Sequence, residues 1–134
     1  MNFEQYQREA GSKFKPSEPL SSKQARLLDW TIGVMDEAGE VAGVIKHHVF
    51  HKQPLDLMML AKEIGDVLWY LSAVCESTGL RLEDCAELNV AKLQHRHGNI
   101  YSHAASAKRR EAERRFEDTS EYRVIKSRIM EESE

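Results

Sequence analysis

Two pairs of acidic residues carry the most chemistry in this sequence: Glu37 and Glu40 in DEAGEVAGVIK, and Glu63 and Asp66 in KEIGDVLWYLSAV. The members of each pair are three residues apart, so on a helix they share one face. Apolar residues interleave with both pairs (Val34, Ala38 and Val41; Ile64, Val67 and Leu68), which places the acids beside surfaces that bury side chains. The midpoint between the pairs falls near His51 and Lys52, in a stretch that reads as a turn. An antiparallel helical hairpin then sets both pairs about 13 residues, or about 20 Å of helix, from that turn and at one level. Four carboxylates converge. Like charges a few ångströms apart in a partly buried site stay ionised only when a cation neutralises them; otherwise some take up protons. All-oxygen ligation favours a hard divalent cation, Mg²⁺ in the first place with Mn²⁺ as a substitute, and disfavours zinc. The plain alternative is a set of solvated surface acids. The matched register argues against it.

Positioning these acids takes a helical scaffold. Apolar spacing of the 3.6 type recurs and alternating β-branched runs do not, so the fold class is all-α, a bundle of about four core helices. A first helix spans Phe3 to Lys13 and buries Phe3, Tyr6 and Ala10, and Pro16 and Pro19 in KPSEP prevent its continuation. Ser21 or Ser22 caps a second helix from Lys23 to His47, with Leu27, Trp30, Thr31, Val34, Ala38, Val41 and Ile45 as its apolar stripe. Pro54 suits the first turn of a third helix, which carries Leu57, Leu60, Ile64, Val67, Leu68, Leu71 and Val74 and stops at Gly79. The fourth runs from Leu82 to His97 and ends at Gly98. Gly33, Gly39, Gly43 and Gly65 cluster around the acids, which suggests close helix approach or room for a ligand.

Composition removes several classes of function. The 134 residues are 41% hydrophobic, enough for one core without disulfides. Cys75 and Cys85 have neither CxxC spacing nor histidine pairs beside them and read as ordinary thiols of a reducing compartment. No apolar run reaches the length of a membrane span, and the N-terminus lacks a signal sequence, so the expected location is the cytoplasm. A formal charge of -3 with 31% charged residues gives no global drive toward nucleic acid, although residues 108–110 and 114–115 are locally basic. From Asn99 the chain is dense in Arg, Lys and Glu with sparse apolar positions (Ala112, Phe116, Tyr122, Ile125, Ile129) and reads as an extended helical arm.

The two acid motifs resemble the ExxE and ExxD motifs of the MazG-like all-α nucleoside triphosphate pyrophosphohydrolases, in the same order and on the expected helices. The resemblance covers residues 1–98, leaving 99–134 as a C-terminal extension. It implies Mg²⁺ bound by Glu37, Glu40, Glu63 and Asp66, and hydrolysis of nucleoside triphosphates to the monophosphate and pyrophosphate. Glu37 or Glu40 would orient or deprotonate the attacking water; the residues do not separate base from ligand. Asn89, Lys92 and Arg96, spaced three and four apart on the fourth helix, are similar to the family's N-x-x-K-x-x-x-R pattern, which implies contact with the substrate phosphates. A basic face paired with Glu83 or Glu87 is the other reading of those residues. Trp30 and Tyr70 lie seven residues from Glu37 and Glu63 on the same side of the acids, where they could wall a base pocket or serve as core aromatics. His47, His48 and His51 suit a helix C-terminus better than a metal.

A hairpin of this length leaves apolar surface uncovered, so a homodimer or homotetramer is expected, in line with the family. Alternatives within the same chemistry are a dUTP-selective enzyme and a phosphoribosyl-ATP pyrophosphohydrolase. The alternative outside it is a non-catalytic helical module for oligomerisation or binding.

Overall fold

A computed structural model describes residues 1–11, 13, 22–98 and 109–132. They form six helices: α1 (Phe3–Gly11), α2 (Lys23–Phe50), α3 (Leu57–Thr78), α4 (Leu82–His97), α5 (Arg109–Glu117) and α6 (Ser120–Glu132). No strand occurs among the described residues, so the protein is all-α as expected. The expected stops at Pro16 and Pro19 lie outside those residues. The helices fall into two compact units, Met1–Thr78 and Gly79–Glu134.

In the first unit α2 and α3 form the long hairpin and α1 packs on α3. Local chemistry fixes each helix start. Asn2 and Gln5 exchange hydrogen bonds at the head of α1: Gln5 N–H donates to Asn2 Oδ1 (2.8 Å) and Asn2 N–H to Gln5 Oε1 (3.1 Å). Ser22 is the N-cap of α2, its Oγ accepting from Ala25 N–H at 3.1 Å. Asp56 plays that part for α3, accepting from Met59 N–H at 2.9 Å. Pro54 therefore lies in the connection and not in the first helical turn. There Lys52 adopts a φ of 53° just beyond the end of α2, and the Gln53 carbonyl lies 2.8 Å from His48 Nδ1. Glycines with φ of 78° (Gly79) and 62° (Gly98) follow α3 and α4, a backbone region open to glycine at little cost.

Burial corrects parts of the sequence reading. Ala10 is buried and Tyr6 half-buried, but Phe3 is exposed. On α2, Leu27, Trp30, Val34 and Val41 are half-buried, whereas Thr31, Ala38 and Ile45 lie at the exposed margin of the stripe. The same helix carries a second apolar row, Leu28, Ile32 and Met35, that is 56–73% exposed. Of the four helical glycines, only Gly33 marks a close approach: a Cβ there would sit 2.2 Å from the Tyr70 ring. At Gly39, Gly43 and Gly65 the added atom would meet nothing within 4 Å.

In the second unit residues 109–132 of the charged C-terminal stretch do not form an extended arm. Helices α5 and α6 fold back on α4, because Phe116 and Ile125 bury with Ala91, flanked by Leu88, Tyr122 and Ile129. Charge assists. Asp84, only 1% exposed in the first turn of α4, is paired with Arg128 Nε of α6 at 2.7 Å. Across α4 and α5, one oxygen of Glu113 accepts from Arg96 (2.9 Å) and Arg109 (3.1 Å).

Two outcomes follow from this packing. Gly33→Ala must displace Tyr70 and lower the urea midpoint, while Gly43→Ala, with open space, should stabilise α2 by about 0.5–1 kcal/mol; equal effects would refute the distinction. The Arg109 hydrogen bond, followed by the charges of Arg109, Arg96 and Lys92, holds the Glu113 carboxyl below its ordinary 4.5. Its stabilising contribution is therefore full above pH 4.5 and lost as pH falls through the depressed value. Glu113→Gln should remove that acid limb from a plot of stability against pH.

Candidate active site

The hairpin register brings the acids together. Trp30 meets Tyr70 and Glu37 meets Glu63, two pairs that each lie symmetrically about Phe50. Glu37 on α2 and Glu63 and Asp66 on α3 each offer a carboxylate oxygen, all three within 4.8 Å of one another. Glu37 and Glu63 are half-buried and Asp66 is exposed. Glu40 is not in this group. Three residues on from Glu37, it is rotated about 60° around α2 and points to solvent. Of the four expected ligands, the structure thus gathers three and leaves the fourth one turn away.

Burial and crowding both act on Glu37. Desolvation, then the charges of Asp66, Asp36, Glu63 and Glu40, raises its carboxyl above the ordinary 4.5. A span of 4.8 Å is close to twice a metal–oxygen distance of about 2.1–2.4 Å, and the donors are all carboxylate oxygens. The residues present fit a hard divalent cation.

Trp30 and Tyr70 form a tilted pair, ring centroids 6.2 Å apart, with Tyr70 lying over Gly33. Both are half-buried. They pack the hairpin while each residue stays partly accessible.

Sequence reasoning missed Tyr6 as a neighbour of the acids. Its hydroxyl donates to the Gly65 carbonyl at 3.2 Å, and burial together with the Asp66 charge raises the phenol's pKa. The apolar face of α1 was visible in the sequence, but its docking on the acid-bearing turn of α3 was not.

In the second unit Asn89 is exposed and Lys92 half-buried. Arg96 keeps only 10% of its side chain exposed and is bound to Glu113. The acids considered as partners for this face are engaged elsewhere: Glu83 pairs with Arg81 and Glu87 with Arg128. The histidines behave as expected of a helix end: His47 and His48 occupy the last turn of α2, and His51 is its C-cap. Their rings give no three-ligand group among the described residues.

The family model of the MazG nucleotide pyrophosphohydrolase domain matches residues 26–101, more than half of the chain. The matched stretch contains both acid pairs, the hairpin turn and the Asn89–Arg96 face. The chain belongs to the MazG nucleotide pyrophosphohydrolase family. Comparison with curated proteins and with solved structures finds no match.

A raised carboxyl makes a signed prediction for the metal-free protein. The favourable contribution of protonated Glu37 is present below pH 4.5 and lost as pH rises through its raised value. In chelator at neutral pH, Glu37→Gln should therefore raise the thermal midpoint and flatten its fall with pH. A lower midpoint would show that burial and repulsion of the ionised Glu37 carboxylate do not govern this cluster.

Proposed function

We propose that this chain hydrolyses nucleoside or deoxynucleoside triphosphates to the monophosphate and pyrophosphate, with Mg²⁺ as the ion of its carboxylate site. The observation that carries the reading is the meeting of Glu37, Glu63 and Asp66 across two helices within the family-matched segment. A scaffold gains nothing from gathering like charges in this way.

Glu37, Glu63 and Asp66 would hold the ion, and we keep Glu40 as the fourth ligand because it stands one turn from Glu37 and its charge is felt there. When bound, Mg²⁺ supplies charge stabilisation to the phosphate oxygens and lowers the pKa of a coordinated water. Glu37 or Glu40 has the further task of orienting the attacking water or receiving its proton. The water oxygen bonds to the α-phosphorus, the bond to the bridging oxygen breaks, and the electron pair leaves with pyrophosphate. Asn89, Lys92 and Arg96 are assigned to the phosphate chain by their resemblance to the family pattern. Arg96 must leave Glu113 or share its remaining N–H groups to do this. Trp30 and Tyr70 are assigned to the base, whose flat face stacks on an aromatic ring.

We assign the reaction to residues 1–98 and treat 99–134 as an appended helical arm. The exposed row Leu28, Ile32 and Met35 on α2, with Leu57 and Met58 on α3, supports association into a homodimer or homotetramer. No described helix is long and apolar enough to cross a membrane. Cytoplasmic location and a nucleotide rather than nucleic-acid partner complete the proposal.

The test is incubation of the purified chain with each common NTP and dNTP, with and without Mg²⁺, resolving products by chromatography. Metal-dependent release of monophosphate and pyrophosphate is expected, and Asp66→Asn should slow it by about 100-fold or more. A strong preference for dUTP, or turnover of phosphoribosyl-ATP alone, would reassign the substrate. Orthophosphate and diphosphate as products, or no turnover, would overturn the reading in favour of a binding module.

A further inference from the structure

Helix α1 carries none of the four acids, yet it touches the turn that presents two of them. The Asn2–Gln5 exchange fixes its N-terminus, and Ala10, 5% exposed, closes its packed face. Between these points Tyr6 donates its hydroxyl to the Gly65 carbonyl at 3.2 Å. Gly65 lies between Glu63 and Asp66 in α3, and the position a Cβ would occupy there is open. No side chain at this residue can hold the turn, so the backbone carbonyl is the handle available. A helical carbonyl has a second lone pair beyond the one used along the helix, so the phenol adds a bond without removing one.

Building on the divalent-cation reading above, we propose that Tyr6 is a positioning residue of the carboxylate site: its hydrogen bond to Gly65 sets the rotation of the α3 turn that aims Glu63 and Asp66 at Glu37. Rotation is the sensitive coordinate. Glu63 and Asp66 sit about 60° apart around α3, so a small roll of this turn moves one toward Glu37 and the other away. A second α1 contact provides the control. Gln7 Nε2 donates to Glu76 Oε2 at 3.5 Å, ten residues beyond Asp66, and so ties α1 to α3 away from the acids.

Titration of Mn²⁺ into the full chain by calorimetry tests this, with helix content followed by circular dichroism. Tyr6→Phe should keep its helix content and weaken Mn²⁺ binding about fivefold, the factor that one net hydrogen bond shifts an equilibrium. Half-maximal turnover of Tyr6→Phe should accordingly need more Mn²⁺ than that of the wild type. Gln7→Ala should bind Mn²⁺ as the wild type does. An unchanged Mn²⁺ affinity in Tyr6→Phe overturns the inference and leaves the carboxylate site standing. Equal weakening in both variants also overturns it, by assigning the effect to α1 docking as a whole. A wild-type chain that binds no Mn²⁺ brings down the metal reading and this inference with it.

Discussion

Repulsion among carboxylates is the constraint around which the first unit is organised. Three acids whose oxygens lie within 4.8 Å oppose one another across the α2–α3 hairpin, and burial together with that opposition raises the Glu37 carboxyl. Something must hold the two helices in register against it. The capped starts at Ser22 and Asp56, the turn built around Lys52 and Gln53, and the Tyr70 ring seated over Gly33 provide that hold. Association of apolar side chains along the interface is non-directional; these features supply the register. A cation at the acids would offset that repulsion, turning a crowded point of the hairpin into a binding site.

The second unit solves a different problem. Its last two helices are rich in charge, with a small apolar share of Phe116, Ile125 and their neighbours. Burial of so few side chains against Ala91 is supplemented by ion pairs that bridge elements distant in sequence: Asp84 with Arg128 and Arg96 with Glu113. The Asp84 pair is the buried one. An unpaired carboxylate that is 1% exposed would be strongly destabilising, so Arg128 is tied to the position of α6. The pairing of Arg96 also changes how its chemistry must be viewed. A cation expected to meet phosphate is already partnered by a carboxylate, so a phosphate group would have to displace Glu113 or use the N–H groups it leaves.

Much of the hairpin was legible in the sequence because its signals are local and periodic. Ser22, Gly79 and Gly98 mark helix ends by side-chain or backbone chemistry that acts within a few residues. Where the reading erred, the missing information was not local. Pro54 fits a first helical turn as well as a connection, and only the Asp56 cap decides between them. The exposure of Thr31, Ala38 and Ile45, and of the second row Leu28, Ile32 and Met35, depends on which side of α2 faces α3. Two apolar rows compete on that helix, and a periodic pattern alone does not rank them.

The sequence by itself determined the helical class, the hairpin and the level at which Glu37 meets Glu63 and Asp66, because spacing along a helix and distance from a turn are arithmetic. It also determined the family, through motifs whose order and separation survive any uncertainty in packing. The tertiary structure decided which acids gather and which stands apart, that Tyr6 reaches Gly65, and that the charged C-terminal stretch folds back on α4. Those outcomes depend on helix rotation and on contacts between residues far apart in the chain. A roll of about 60° exchanges one carboxylate for another, and no local preference in the sequence specifies it.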